Sequence, residues 1–152
     1  MCGIAGYILR APTGHQAAGY IDALLGPIRR RGPDDEGLSL INRDKRSILS
    51  FRTDRTSLKL SHLPPLGKEL IPLHDAALLH TRYSIIDLTE GGHQPFISSD
   101  GTVTAVFNGE IYNYIELRED LIAKGVAFRT QSDTEVLVEG YRVWGHDLWN
   151  RM

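Results

Sequence analysis

Met1-Cys2-Gly3-Ile4-Ala5-Gly6 opens the chain and decides how the rest of it is read. From Gly3 to Leu9 the residues are apolar apart from glycine, the pattern of a short buried strand ending at Arg10. Cys2 is the one cysteine in 152 residues and directly follows the initiator methionine. Removal of Met1 leaves a residue carrying both a thiol and a free α-amine. An ordinary thiol titrates near pKa ~8.5 and an α-amine near ~7.7–8.0, so one residue can supply both nucleophile and general base. The plainer alternative is a small buried residue at a frayed start, and Met-Cys alone does not choose between the two.

The composition is that of an ordinary soluble globular domain, with 41% hydrophobic and 24% charged residues. Its length suits one domain with a real core. A net charge of −2 gives no electrostatic footprint for nucleic acid or an anionic membrane. A lone cysteine cannot form an internal disulfide, and no apolar run approaches the ~20 residues that cross a bilayer. The N-terminus lacks the basic and apolar regions of a signal peptide. A reduced, cytoplasmic compartment is the expectation, and there a thiol stays available for chemistry.

Outward from the first strand, Pro12-Thr13-Gly14 reads as a break. Ala17, Tyr20, Ile21, Leu24, Leu25 and Ile28 recur at three and four, which predicts an amphipathic helix. Arg29-Arg30-Arg31 puts positive charge at its C-terminal end, and Gly32-Pro33 stops it. A second strand is expected over Leu38 to Ile41. Residues 43–75 lose clear period and read as an insertion or long surface loop, with a short strand around Ser47 to Phe51. Ala76 to His80 is a buried strand running into Thr81-Arg82-Tyr83-Ser84-Ile85-Ile86-Asp87, followed by a loop through Gly91-Gly92 and Gln94-Pro95. Further strands are expected at Val103 to Phe107 and Val126 to Phe128. A helix spans Tyr114 to Lys124 with Gly125 as its left-handed stop. Ser132-Asp133-Thr134-Glu135 reads as a capping box, with Glu135 reaching back to Ser132. The helix it starts ends at Gly145, and His146 to Met152 begins another helical turn. Short strands with few intervening helices indicate a layered α+β fold.

An amide hydrolase with a thiol nucleophile needs donors aimed at the oxygen on which charge develops. Asn108-Gly109 at the end of a strand offers a side-chain NH2 and an unshielded backbone N–H; the same dipeptide also suits a type I′ hairpin turn. Arg82 has the planar fork that fits a carboxylate, or a place in a surface ion pair. Glu110 and Asp133 are anions able to hold an ammonium, or a solvated charge and a first-turn dipole complement. A metal or hydrolase site built from His62, His74, His80 and His93 fits no compact ligand spacing, and no Gly-x-Ser-x-Gly is present. Spacing alone does not join these residues into one pocket.

An ordered set of blocks does join them. Met1-Cys2-Gly3-Ile4, Arg31-Gly32-Pro33-Asp34, His80-Thr81-Arg82-Tyr83-Ser84-Ile85-Ile86-Asp87, Gln94-Pro95, Asn108-Gly109-Glu110-Ile111-Tyr112-Asn113 and Ser132-Asp133-Thr134-Glu135 resemble the glutaminase domain of class II glutamine amidotransferases, which are N-terminal-nucleophile hydrolases. Within that group the chain is most similar to glutamine-dependent asparagine synthetases. Aminosugar-forming relatives usually carry a Tyr-Asp-Ser type sequence after Arg-Gly and a tryptophan after His-Thr-Arg; Pro33-Asp34 and Tyr83-Ser84-Ile85-Ile86 stand here instead.

The resemblance implies a four-layer αββα sandwich of two mainly antiparallel sheets. It implies that Cys2 attacks the side-chain amide of glutamine with its own α-amine as base, while Asn108 and the Gly109 N–H hold the oxyanion. Arg82 takes the substrate carboxylate, Glu110 and Asp133 the ammonium, and the Ile85–Ile86 backbone lines the pocket. Gly91-Gly92 belongs to a loop beside the site. Ammonia would pass to a covalently linked or adjacent ATP-dependent synthetase domain. No metal or other cofactor is expected in this chain; ATP and Mg belong to that missing domain. The resemblance also makes the chain an incomplete, C-terminally truncated domain over residues 1–152, since the family continues with a further strand and the synthetase. Residues 43–75 are longer than the family core requires. The other readings are a non-catalytic glutamine-binding or structural module, and service to another acceptor (polysaccharide, antibiotic or peptide). A homodimer is a further alternative, and neither nucleic acid nor membrane is an expected partner.

Overall fold

The computed structural model describes residues 2–67, 71–83 and 90–152. Among these residues the strands are β1 (Gly3–Thr13), β2 (Asp35–Asn42), β3 (Ser47–Arg52), β4 (His74–Arg82), β5 (Phe96–Ile97) and β6 (Thr104–Ala105). The α-helices are α1 (Ala18–Ile28), α2 (Tyr114–Ala123) and α3 (Asp133–Trp144), and a 3₁₀ segment follows at Gly145–Asn150. The class is α+β, as the pattern of elements indicates.

β1 to β4 form one antiparallel sheet in the order β1-β4-β2-β3. The register sets Gly3 opposite Thr81 and Asp35 opposite Arg82. Side chains alternate across a strand, so the two faces have different chemistry. One face carries Leu38, Leu40, Phe51, Ala77 and Leu79, and Ile21 and Leu25 of α1 bury themselves against it. Each such side chain contributes about 1.5–3 kcal/mol when fully buried. The Thr81 hydroxyl donates to the Ile28 carbonyl at 2.8 Å, fixing the end of α1 on the sheet. The opposite face is apolar at one end, with Ile41, Ala76 and Leu78, and polar at the other, with Asp35, Gly37, Ser39, His80 and Arg82; this polar end of the face holds the candidate site.

A second core is made by Ile111, Leu117, Leu121, Val126, Val136, Leu137 and Leu148 between α2, α3 and the final 3₁₀ segment. α2 ends with Gly125 at φ 87°, where the Gly125 N–H reaches the Ile122 carbonyl at 2.8 Å and the Val126 N–H the Leu121 carbonyl at 3.0 Å. That is a Schellman stop, with Val126 packed back toward Leu121. β5 and β6 pair as a two-stranded ribbon that packs against α3. The buried Glu139 of α3 accepts the Ser99 N–H at 2.6 Å and so ties the helix to that ribbon.

Several expectations change. β1 continues through Pro12 to Thr13, because an edge strand has one side on which a missing N–H costs nothing; its register slips between Ile8 and Thr13. Within residues 43–75 the expected short strand is present as β3, paired with β2 over its whole length, and β4 already begins at His74, ahead of the expected Ala76. Val126 to Phe128 is no strand, since Val126 is spent on the helix stop. The strand at Val103 to Phe107 shrinks to Thr104–Ala105. Ser132 does cap α3, accepting the Thr134 N–H at 3.1 Å. Glu135 does not reach Ser132. It is fully buried and accepts the N–H groups of Arg129 and Thr130 at 2.9 and 2.7 Å and the Thr130 hydroxyl at 2.7 Å. The arginine run divides its work: Arg29 holds the buried Glu36 through two bonds of 2.8 Å, and Arg31 turns toward Cys2.

Candidate active site

Cys2 sits at the start of the edge strand, just before the Gly3–Thr81 pair. By alternation its side chain shares the polar end of the sheet face with Arg82. Its sulfur meets the backbone just past the end of β4, with the Tyr83 N–H donating to Sγ at 3.4 Å and the Tyr83 carbonyl 3.8 Å away. Two side chains converge on the Cys2 carbonyl oxygen: Arg31 Nε at 3.0 Å and Asn108 Nδ2 at 3.3 Å. Cys2 and Asn108 are 106 residues apart in sequence, and the fold alone brings them into contact.

Asn108-Gly109-Glu110 forms an exposed loop held at both ends by side chains. Phe107, before it, gives its N–H to Gln94 Oε1 at 2.6 Å, and Ile111, after it, gives its N–H to Asp133 Oδ2 at 3.2 Å. A Cβ at Gly109 would stand 2.7 Å from the Phe107 ring, so any larger residue there needs that ring to shift. Gly92 lies directly on the Arg82 guanidinium, where any Cβ would overlap it. The loop through Gly91 and Gly92 is therefore beside the candidate site. Arg82 itself is buried at the end of β4.

Beneath the site the sheet carries a cluster of titratable groups. His93 Nδ1 and Asp35 Oδ2 are 2.6 Å apart, and the Ser57 N–H donates to the other Asp35 oxygen at 2.8 Å. Burial raises the Asp35 carboxyl, but the His93 bond and charge and the backbone N–H groups outweigh it and hold it below the usual range. His80 is 1% exposed. Burial first, then neighbouring His93 and Arg82, push its imidazole down to about 4, against Asp35 and a backbone bond at Phe107. His80 is thus neutral, an uncharged floor for the site.

Of the residues singled out from sequence, Cys2 and Asn108 touch, Gly109 and Glu110 share the Asn108 loop, and Asp133 anchors that loop from α3. Ile85 and Ile86, like Met1, lie outside the described residues. Arg31, the Tyr83 backbone and Gln94 also join the site, though none had been given a role there. All three stand in the quoted blocks that begin at Arg31, His80 and Gln94, which was the only sequence signal. The four histidines are not gathered at one point: His74 bonds Tyr7, His80 and His93 are neighbours beneath the site, and His62 and His93 line one cleft. Among the described residues no three His, Cys, Asp or Glu side chains group as metal ligands. That cleft, about 1230 Å³ between Ser50, Leu63, Phe96 and Arg129, is lined by Gly91 and His93 but not by Cys2, Arg82, Asn108, Gly109, Glu110 or Asp133. Among the described residues no helix is long and apolar enough to cross a membrane.

A family model described as a glutamine amidotransferase domain matches residues 40–152, which include Arg82, Asn108, Gly109, Glu110 and Asp133. The chain is 62% identical over 71 residues to asparagine synthetase [glutamine-hydrolyzing] 1 of Bacillus subtilis, covering 47% of this chain and 11% of that protein. Asparagine synthetase [glutamine-hydrolyzing] 2 of the same organism is 34% identical over 95% of this chain and 15% of its own length. Glutamine–fructose-6-phosphate aminotransferase [isomerizing] of Mycolicibacterium paratuberculosis is also 34% identical, over 91% of this chain and 22% of its own. The matched regions therefore span between 11% and 22% of the length of these relatives. Ordered motifs, an α+β fold with antiparallel sheets and these matches agree: the chain belongs to the glutamine amidotransferase domain family.

Proposed function

We propose that this chain hydrolyses the side-chain amide of glutamine through Cys2 once Met1 is removed. The observation that carries the reading is the contact between Asn108 Nδ2 and the Cys2 backbone at 3.3 Å, which sets an oxyanion donor next to the nucleophile. Nδ2 has two N–H groups; one holds the Cys2 carbonyl and the other serves the substrate oxygen. The α-amine takes the thiol proton and sulfur attacks the amide carbon. The tetrahedral oxyanion rests on Asn108 and the Gly109 N–H. Its collapse breaks the C–N bond, the ammonium formed on Cys2 gives its proton to the leaving group, and ammonia departs. Water, deprotonated by the same amine, then cleaves the thioester and releases glutamate. Arg82 receives the substrate carboxylate, Glu110 and Asp133 the ammonium, and the Ile85–Ile86 backbone closes the pocket.

The ammonia serves an ATP-dependent synthetase domain of asparagine-synthetase type, linked to or beside this one in the cytoplasm; ATP and Mg act there. The much greater length of the relatives supports such a partner, and the 62% identity to an asparagine synthetase supports that acceptor. The main sheet and the β5–β6 ribbon belong to the two inner layers of a four-layer αββα sandwich. α1 on one face of the main sheet, and α3 beyond the β5–β6 ribbon, support that arrangement. The test is glutamate release together with glutamine binding. Cys2→Ala is expected to bind glutamine while turnover falls by ~10⁴-fold. A wild type that binds glutamine but releases no glutamate would instead mark a non-catalytic binding module.

A further inference from the structure

None of the steps above uses Gln94, yet it is among the most constrained polar residues near the site. It is 7% exposed, and both ends of its amide are engaged. Oε1 accepts the Phe107 N–H at 2.6 Å, and Nε2 donates to Thr134 Oγ1 at 3.3 Å. Thr134 Oγ1 lies 3.5 Å from Asp133 Oδ1, and Asp133 Oδ2 accepts the Ile111 N–H at 3.2 Å. The chain from Phe107 to Ile111 is thereby closed into a ring by Gln94, Thr134 and Asp133, with Asn108-Gly109-Glu110 as its free span. The ring is fixed to the sheet from below. The Gln94 carbonyl sits on Gly37 so closely that no Cβ fits there, and the preceding His93 is bonded to Asp35.

We infer that Gln94 is a positioning residue for the glutaminase reaction, setting the separation between the oxyanion donors at Asn108-Gly109 and the ammonium-binding end at Asp133. This rests on the function proposed above. Its two bonds act on different parts of the substrate. The bond to Phe107 aligns the oxyanion donors and belongs to kcat. The bond to Thr134 holds the Asp133 end, where the ground-state substrate binds, and belongs to KM. A buried glutamine with no such role would change stability without separating the two constants.

The test compares Gln94→Leu, Gln94→Glu and Thr134→Val in the full chain, with Cys2 at the N-terminus, by steady-state glutamate release and by amide hydrogen exchange. Gln94→Leu is expected to lower kcat by about 10²-fold, the effect of a reacting group displaced by about an ångström. Exchange at the Phe107 amide should quicken by about 10-fold or more as its acceptor is lost. Gln94→Glu keeps an acceptor for Phe107 and loses the donor to Thr134, so it should recover most of kcat while raising KM several-fold. Thr134→Val should raise KM by a larger factor than it lowers kcat, and it decides the matter if Gln94→Leu does not fold. A folded Gln94→Leu with kcat within about two-fold of wild type overturns the inference, as does a series in which melting falls and kcat and KM stay put. A wild type that hydrolyses no glutamine sinks the glutaminase reading instead. Unchanged Phe107 exchange in Gln94→Leu would still sink the positioning role.

Discussion

The main sheet and the loop that faces it are held together in different ways. In the sheet, strand register and one apolar face do the work: β4 pairs on both sides, and Leu38, Leu40, Ala77 and Leu79 pack under α1. The loop over the site has almost no ladder of its own. Its backbone N–H groups go to the side chains of Gln94 and Asp133, and the turn into α3 gives two more to buried Glu135. A hydrophobic sheet tolerates loss of one polar contact but not of volume. A loop satisfied by single side chains has the opposite sensitivity. The contrast suits the chemistry, because the sheet supplies a rigid base for Cys2 and Arg82 while the loop presents exposed donors that a packed strand would hide.

Removing volume from the sheet gives the largest expected effect. Leu79 is fully buried in the first core, and Leu79→Ala should cost about 2–5 kcal/mol, read as a lower urea midpoint at constant slope. A cost below 1 kcal/mol (roughly the scale of a surface change) would mean that the sheet is not the rigid half.

Next comes the polar floor between the halves. His80 is neutral in the fold with its pKa at about 4, while the unfolded chain has an ordinary histidine near ~6.5. Between those values the unfolded state binds the extra proton. Stability from this group is therefore complete above about pH 6.5 and falls as pH drops toward 4, by on the order of 3 kcal/mol. Denaturant titrations across that range should show the slope, and His80→Gln should flatten it. An unchanged slope would place the titrating group elsewhere.

The smallest of the three effects belongs to the loop half. Glu135→Gln keeps shape but replaces one acceptor oxygen with an NH2 that faces an N–H already pointing inward, so it should cost about 1–2 kcal/mol. Faster exchange at the Arg129 or Thr130 amide should accompany it. If neither stability nor exchange moves, the turn into α3 is held by something other than that carboxylate.

The same contrast explains what the sequence let us read. Elements built by periodicity stood out: β1, α1, β2, β4, α2 and α3 are all legible from apolar spacing and stop signals such as Gly125 and Gly145. Even β3 showed as a short apolar run inside a stretch without period. Misreadings concentrate where a backbone group is satisfied outside a strand ladder, by a helix stop or by a side chain. Val126-Ala127-Phe128 has strand composition but begins as the end of a Schellman stop. Phe107 looked like a strand residue, yet its N–H belongs to Gln94. Glu135 stands at the spacing of a capping box and satisfies the preceding turn instead. Of the candidate site, the residue types were legible one by one, but the meeting of Cys2 with Asn108 follows only from the ordered family blocks. Arg31 was read as a helix end because charge at a helix C-terminus is so common a reason for arginine.

The most direct measurement is glutamate release by two preparations of the same chain, one with its N-terminus at Cys2 and one with Met1 retained, each verified by mass. The expected result is turnover in the first and loss of about 10³-fold or more in the second, because an amide nitrogen cannot serve as the base. Equal turnover in both would contradict the assignment of nucleophile and base to one residue.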